Sequence, residues 1–305
     1  MGVIGTGYFG RHHARVLSKL KYAQLSAISD VDLSAASELG RTLNVRVYEN
    51  YRQILKDVDA VVIATPTATH HKIAMECMSE GRHVFVEKPI AADIGEAVEM
   101  IQIAQNKALV LQVGHIERFN PGFNALSKSL AGDTPVFIET ERISPVIPRA
   151  LNVDVTLDLM IHDIDIAYAI AQSEVKSVRV SGAAVLSEKI DVARAWIEFE
   201  NGVGALLTSD RLSKEKRRTL RVTGMNNFLS LDYITQELLC YDYRGKVETA
   251  AIAAGSEPLK EELMSFTNSV INAIPPVVSG HDGQRALGLA LEISAAIRDC
   301  SRGRA

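Results

Sequence analysis

A chain of 305 residues with 47% hydrophobic content and a formal charge of −4 is long for one compact core and comfortable for two domains. It has no arginine-rich arm or strongly basic domain, which argues against nucleic acid as a partner, and no apolar run reaches membrane-spanning length. Cys77, Cys240 and Cys300 are odd in number and lack metal-ligand spacing, so a disulfide framework and a cysteine zinc site are not expected, and a reducing cytoplasm is.

The first twenty residues, MGVIGTGYFGRHHARVLSKL, predict a strand, a tight turn and a helix. The apolar run 1–4 is followed by Gly5, Gly7 and Gly10 in G-x-G-x-x-G spacing, and then by Ala14, Leu17 and Leu20 at helical spacing. In such a unit the first glycine permits the turn, the second lets a pyrophosphate approach the backbone, and the third lets helix and strand pack closely. The helix N-terminus supplies N–H groups and the positive end of its dipole. The next strand, AQLSAISD, ends in Asp30, followed by Val31, Asp32 and Leu33. A carboxylate there accepts from the adenine-ribose hydroxyls and repels a 2′-phosphate, and no basic residue follows it, so NAD is expected over NADP. The chain opens on the first strand with no signal segment; that strand is short enough for a few native residues to precede Met1.

The alternation continues through residue 118. Helices are predicted at 32–43, 51–57, 68–81 and 93–107, and strands at RVYEN, DAVVIATP, HVFVEKP and ALVLQVGHI. Continuous apolar strands between helices point to a doubly wound parallel sheet, giving a nucleotide-binding Rossmann domain over 1–118 in an α/β protein. The remainder, 119–305, reads as an α+β domain. A helix is expected near 155–172, then an open-faced, mainly antiparallel sheet from about residue 175. Its hairpins turn at Asn201-Gly202, Asn226-Asn227 and Arg244-Gly245. Two further helices cover 259–274 and 283–299, and the last is a candidate to pack back on the first domain.

Three motifs gather chemistry. ATPTATHH, with Thr65, Pro66 and His70, and EKP, with Glu87, Lys88 and Pro89, follow consecutive core strands, at the carboxyl edge where open α/β sheets bind ligands. DLMIH places Asp158 and His162 four residues apart, on one helix face. Removing a hydroxyl proton as a hydride leaves calls for a base with a pKa near neutrality, and histidine meets that need unaided. Asp158 would orient His162, and Lys88 would stabilise charge growing on a substrate oxygen. His70 either lies beside the cofactor or caps the following helix. His12, His13, His71, His83 and His281 read as structural or exposed, and Asp163 and Asp165 as capping or solvating a helix surface. No H-E-x-x-H or similar pattern appears, and no metal is expected.

The order of these motifs, together with VGHIERFNP and the HDG before the last helix, resembles the glucose-fructose oxidoreductase and inositol dehydrogenase family (Gfo/Idh/MocA), and VGHIERFNP with DLMIHDIDI is similar to its sugar-nucleotide branch. The resemblance implies Lys88, Asp158 and His162 as the catalytic set. It implies NAD held by Gly5, Thr6, Gly7, Tyr8, Phe9, Gly10, Asp30, Thr65, Pro66, His70, Glu87, Lys88, Pro89 and Gln112. A sugar or sugar-nucleotide substrate would be held by His115, Arg118, Asn120 and Arg211, and the chain would form a homodimer or homotetramer through its open sheet. The basic segment containing Arg211, Lys214, Lys216, Arg217, Arg218 and Arg221 is either a solvated hairpin connection or a diphosphate site. The implied activity is oxidation of a ring hydroxyl of a sugar nucleotide. The alternatives are a free-sugar or polyol dehydrogenase, and a sensor that keeps the nucleotide site without catalysis.

Overall fold

The computed structural model describes residues 1–147, 151–245, 247–250, 252 and 255–302, without the side chains of 301 and 302. Two compact units divide it, residues 1–119 with 257–287 and residues 120–256 with 288–305.

The first unit alternates β1 (Gly2–Ile4), α1 (Tyr8–Leu17), β2 (Ala27–Ser29), α2 (Leu33–Leu43), β3 (Arg46–Tyr48), β4 (Ala60–Ile63), α3 (His70–Ser79), β5 (His83–Glu87), α4 (Ile94–Asn106) and β6 (Leu111–Gly114). The six strands lie in the order β3-β2-β1-β4-β5-β6, every pair parallel. The order reverses between β1 and β4, and a ligand crevice opens at such a switch point. Asp32 and Asp93 start α2 and α4, the first carboxylate accepting the Ser34 and Ala35 N–H groups and the second the Glu96 N–H.

The helix expected at 51–57 is instead two 3₁₀ turns, Tyr51–Gln53 and Leu55–Asp57. Seven residues are too few to repay α-helix nucleation, and fully buried Ile54 pins the chain between the turns. The core of this unit joins Val3, Leu17, Ile28, Val62 and Phe85 to Leu263 and Phe266 of α7 (Pro258–Asn272). The Phe85 and Phe266 rings meet edge to face at 5.8 Å. That apolar contact is why a helix remote in sequence is counted with the nucleotide sheet.

The second unit begins with α5 (Pro121–Leu130) and β7 (Pro135–Ile143), neither of them read from the sequence. A π-helical turn, Thr156–Met160, leads into α6 (Ile161–Ala171). Strands β8 (Val175–Ala183), β9 (Val192–Phe199), β10 (Gly204–Asp210), β11 (Arg217–Gly224), β12 (Asn227–Asp232), β13 (Glu237–Asp242) and β14 (Val247–Ala250) follow. The eight-stranded sheet runs β14-β13-β12-β11-β7-β10-β9-β8. Its pairs are antiparallel except β7 with β10, which is parallel. The helix α8 (Gly280–Arg302) closes the described chain. β7 alternates, but its inward residues are Ile138, Thr140 and Arg142. Two of the three are polar, which conceals a strand from a hydrophobicity pattern.

Candidate active site

Each glycine of the first turn has a separate geometric duty. Gly5 has φ +87°, a left-handed conformation, and a Cβ there would lie 2.7 Å from the Ala64 carbonyl oxygen. A Cβ on Gly10 would lie 1.8 Å from the Gly5 carbonyl oxygen, so only glycine lets α1 sit this close to β1. A Cβ on Gly7 would meet nothing within 4 Å, so its face is open for an approaching group. No side chain caps α1, and no acidic residue occupies its first turn. The N–H groups and dipole of that end remain available to a diphosphate. Tyr8 and Phe9, 55% and 51% exposed, flank the same turn.

Asp30 stands just beyond β2. One carboxylate oxygen accepts from the Thr6 backbone N–H and from Thr6 Oγ1 at 2.9 Å, and the other from the Asp32 N–H at 3.0 Å. The carboxylate is thereby held in one orientation, with the capping carboxylate of Asp32 two residues on. A 2′-phosphate would meet two negative charges there, so the site fits NAD.

Thr65 and Pro66 follow β4. His70, the first residue of α3, is buried between two carbonyl oxygens: Nδ1 is 2.9 Å from that of Pro89 and Nε2 is 2.9 Å from that of Thr65. It ties the two loops of the rim together rather than capping the helix. Burial pulls its pKa below the usual histidine value, against the hydrogen bonds that raise it. Glu87 ends β5 and Lys88 follows it, and the Lys88–Pro89 peptide is cis.

His115 follows β6 and is 1% exposed. Burial, then the charges of Lys88 and Arg118, push it down to about 3. It is a neutral imidazole at any working pH, fit to exchange hydrogen bonds but not to serve as an acid. Arg118 lies in the 3₁₀ turn Ile116–Phe119 and reaches the Val277 carbonyl at 3.5 Å. Asp282 of the HDG segment accepts from the backbone and hydroxyl of Ser279, while the Asp282 N–H donates to Ser279 Oγ. This reciprocal pair starts α8.

Three of the expected contact residues have other work. Gln112 is fully buried within β6 and donates to the Glu262 carbonyl at 3.2 Å. It serves the packing of α7 rather than an open binding surface. Asn120 is the N-cap of α5, its Oδ1 accepting from the Gly122 N–H at 3.0 Å and from Gln236 at 3.2 Å. Arg211 does not face solvent. It is 2% exposed, pairs with Asp191 at 2.7 Å, and donates to the carbonyls of Val153 and Ile190. A residue at a β-strand exit was free to turn either way, and the buried carboxylate of Asp191 decided it.

In the second unit Asp158 and His162 are both half-buried. Asp158 lies in the π turn, a local widening often found at functional sites, and His162 in the first turn of α6. That segment is anchored from several sides. The Val155 N–H donates to the Ile190 carbonyl, Asp154 accepts from the Ile190 N–H and pairs with Arg298, and Thr156 bonds Ser294 at 2.5 Å. Asp163 and Asp165 are buried, 2% and 1% exposed, not solvating as expected. Asp163 holds Arg142. No cluster able to hold a metal ion occurs among the described residues, and none of the described helices is long and apolar enough to cross a membrane.

A six-stranded parallel sheet with a glycine turn open to a diphosphate and an acidic residue beyond its second strand, followed by a separate mainly antiparallel sheet, defines a dinucleotide-dependent oxidoreductase. Residues 1–115 match the model of an oxidoreductase family with an NAD-binding Rossmann fold, and residues 148–229 match the GFO/IDH/MocA C-terminal domain. The chain belongs to the GFO/IDH/MocA family and is an NAD-dependent dehydrogenase. UDP-N-acetylglucosamine 3-dehydrogenase of Acidithiobacillus ferrooxidans is 34% identical over 97% of this chain and 96% of its own. The solved structure of that enzyme matches with a TM-score of 0.93 at 35% identity, over 97% of this chain and 96% of that one. Myo-inositol 2-dehydrogenase of Thermotoga maritima is 29% identical over 94% of this chain and 92% of its own. The scyllo-inositol dehydrogenase of Lactobacillus casei, solved with NAD(H) and scyllo-inositol, shares the fold with a TM-score of 0.84 at 23% identity, over 98% and 96% of the two chains.

Proposed function

We propose that this dehydrogenase oxidises a ring secondary hydroxyl of a sugar nucleotide, with UDP-N-acetylglucosamine converted to its 3-keto form. The observation that carries the reading is the end-to-end similarity to UDP-N-acetylglucosamine 3-dehydrogenase, at 34% identity. The open face at Gly7, the N-terminus of α1 and the Asp30 carboxylate would hold NAD, which would supply the hydride acceptor for the carbinol carbon. His162 takes the hydroxyl proton on its imidazole as the hydride departs, and Asp158 favours the cation so formed. Lys88 stabilises the charge that grows on the substrate oxygen. His115, kept neutral, and Arg118 are assigned to sugar hydroxyls, and Asn120 contributes whatever its amide has left beyond the cap. Arg211 supports the fold and leaves the diphosphate to other cations.

The outer face of the eight-stranded sheet carries Phe137, Trp196, Phe228 and Tyr241. Trp196 is 40% exposed, and its ring lies 5.1 Å from that of Phe137. Apolar area of this kind marks a partner surface, and a homodimer or homotetramer formed through it is the proposed state, checked by light scattering. Cys77, Cys240 and Cys300 are free thiols, in keeping with a cytoplasmic site of action.

The test compares UDP-N-acetylglucosamine, free N-acetylglucosamine, myo-inositol and glucose by NADH formation, with hydrazine present to trap the ketone. Remote binding energy helps position the reacting carbon, so removing the nucleotide diphosphate should abolish most of kcat/KM. Equal efficiency for the two N-acetylglucosamine substrates rejects the reading, and turnover of inositol alone replaces it with a polyol dehydrogenase, the reading that the 29% identical relative supports.

A further inference from the structure

The buried stripe of α1 is Gly10, His13, Ala14 and Leu17. Three of these are small or apolar, as close packing of a helix on a sheet demands; His13 is neither. An imidazole 1% exposed at such a position carries a desolvation cost unless its polar atoms are matched. Its Nε2 lies 2.6 Å from Glu87 Oε1, and because a carboxylate only accepts, that nitrogen carries the proton and donates. The other oxygen, Glu87 Oε2, accepts the backbone N–H of Lys88 at 3.3 Å. The carboxylate therefore bridges the nucleotide-binding helix and the main chain of the lysine assigned to the substrate oxygen.

The surroundings leave this bridge little freedom. A Cβ on Gly114 would lie 3.0 Å from Glu87 Oε2, so the absence of a side chain on β6 makes the room for the carboxylate. The Phe85 ring packs edge to face on His13 at 5.2 Å. Burial works to raise the Glu87 carboxyl, yet the His13 hydrogen bond and the charge of Lys88 hold it below the usual carboxylate range.

We propose that His13 is a positioning residue for hydride transfer: by donating to Glu87 it fixes the carboxylate that holds the chain at Lys88, so that α1 and the catalytic lysine keep one spacing. The inference rests on the reading of Lys88 above. His13 never meets the substrate; it acts through Glu87, and its loss would let the rim drift relative to the bound nucleotide.

The experiment uses the full chain with three substitutions. His13→Gln places an amide N–H within the same reach of Glu87 and cannot titrate, His13→Asn is polar but too short, and His13→Leu fills the space without a donor. Turnover, KM for the sugar, NADH affinity by fluorescence, the pH profiles of kcat and of NADH affinity, and the thermal midpoint are measured for each. Leu and Asn are expected to lower kcat by about 10- to 100-fold, the scale of a misplaced reacting group, with a smaller effect on KM. The acid limb of the NADH-affinity profile should move to higher pH, because Glu87 loses a bond that holds its carboxyl down, while that of kcat stays with the base His162. Gln is expected to recover kcat to within a few-fold and to return the acid limb. A loss confined to the thermal midpoint, with kcat and the NADH-affinity profile unchanged, would make His13 a packing residue and overturn the proposal, as would Gln failing alongside Leu and Asn. If Leu does not fold, the contrast between Gln and Asn decides. Lys88→Met in the parent chain is read separately: retained turnover there refutes the role of Lys88 itself, whatever His13 does.

Discussion

Arg142 and Asp163 face one another as a fork inside the second unit, Arg142 Nε donating to Oδ2 at 3.0 Å and Nη2 to Oδ1 at 2.8 Å, with both side chains almost fully buried. The pair clamps β7 to α6, one residue beyond His162. Breaking one side of a buried pair leaves an uncompensated charge, whereas an apolar replacement of both is tolerated. Asp163→Ala is expected to cost about 3–5 kcal/mol in urea unfolding, and the double replacement Arg142→Met with Asp163→Leu to recover most of it. If the single and double variants unfold alike, the fork contributes nothing beyond the volume it fills.

The glycine turn separates packing from binding. Gly10→Ala drives a methyl into the Gly5 carbonyl and should prevent accumulation of folded protein. Gly7→Ala adds a methyl that meets no protein atom, so unfolding should stay within about 0.5 kcal/mol of the parent. NAD affinity by fluorescence titration is expected to fall about tenfold or more, because that methyl occupies the face reserved for the pyrophosphate. Unchanged NAD affinity would mean the diphosphate does not approach Gly7.

His115 links stability to pH. Its folded value of about 3 lies below the ordinary 6.5, so between those values the unfolded chain holds a proton that the folded chain does not. Stability is complete above about pH 6.5 and declines as pH falls, with a limiting slope from this one group of about 1.4 kcal/mol per pH unit. Urea midpoints from pH 4 to 7 should show this slope, reduced in His115→Asn. An equal slope in the variant would assign the acid sensitivity to other groups.

Catalysis should divide at the π turn. His162→Ala is expected to lower kcat by about 10²- to 10⁴-fold, as for loss of a general base, with NAD affinity nearly unchanged. Asp158→Asn should cost less, since it removes the partner of the base and not the base. Turnover of His162→Ala within a few-fold of the parent at neutral pH would place the proton transfer on another group.

Much of this was legible in the linear chain because its causes are local. The glycine spacing of the first turn, Asp30 just beyond β2 and the hairpins at Asn201-Gly202 and Asn226-Asn227 act through neighbours a few residues away. The continuous apolar runs of β4 and β5 required helices on both faces of their sheet, and the motif order pointed to the GFO/IDH/MocA family and to NAD.

What the sequence by itself determined was the class of fold, the nucleotide turn and the residue types available for proton transfer. Only the tertiary structure decided where the polar side chains of the interior are spent. Arg211 resembled a substrate ligand until Asp191, twenty residues earlier, was seen to hold it, and Gln112 an NAD contact until α7 covered it. Arg142 hid β7 by placing charge on an inward face that Asp163 neutralises from α6, and His13 gained a task from Glu87, seventy-four residues away. A buried charge or imidazole is stable only beside its partner. That partner is supplied by folding, so neither composition nor spacing could name it.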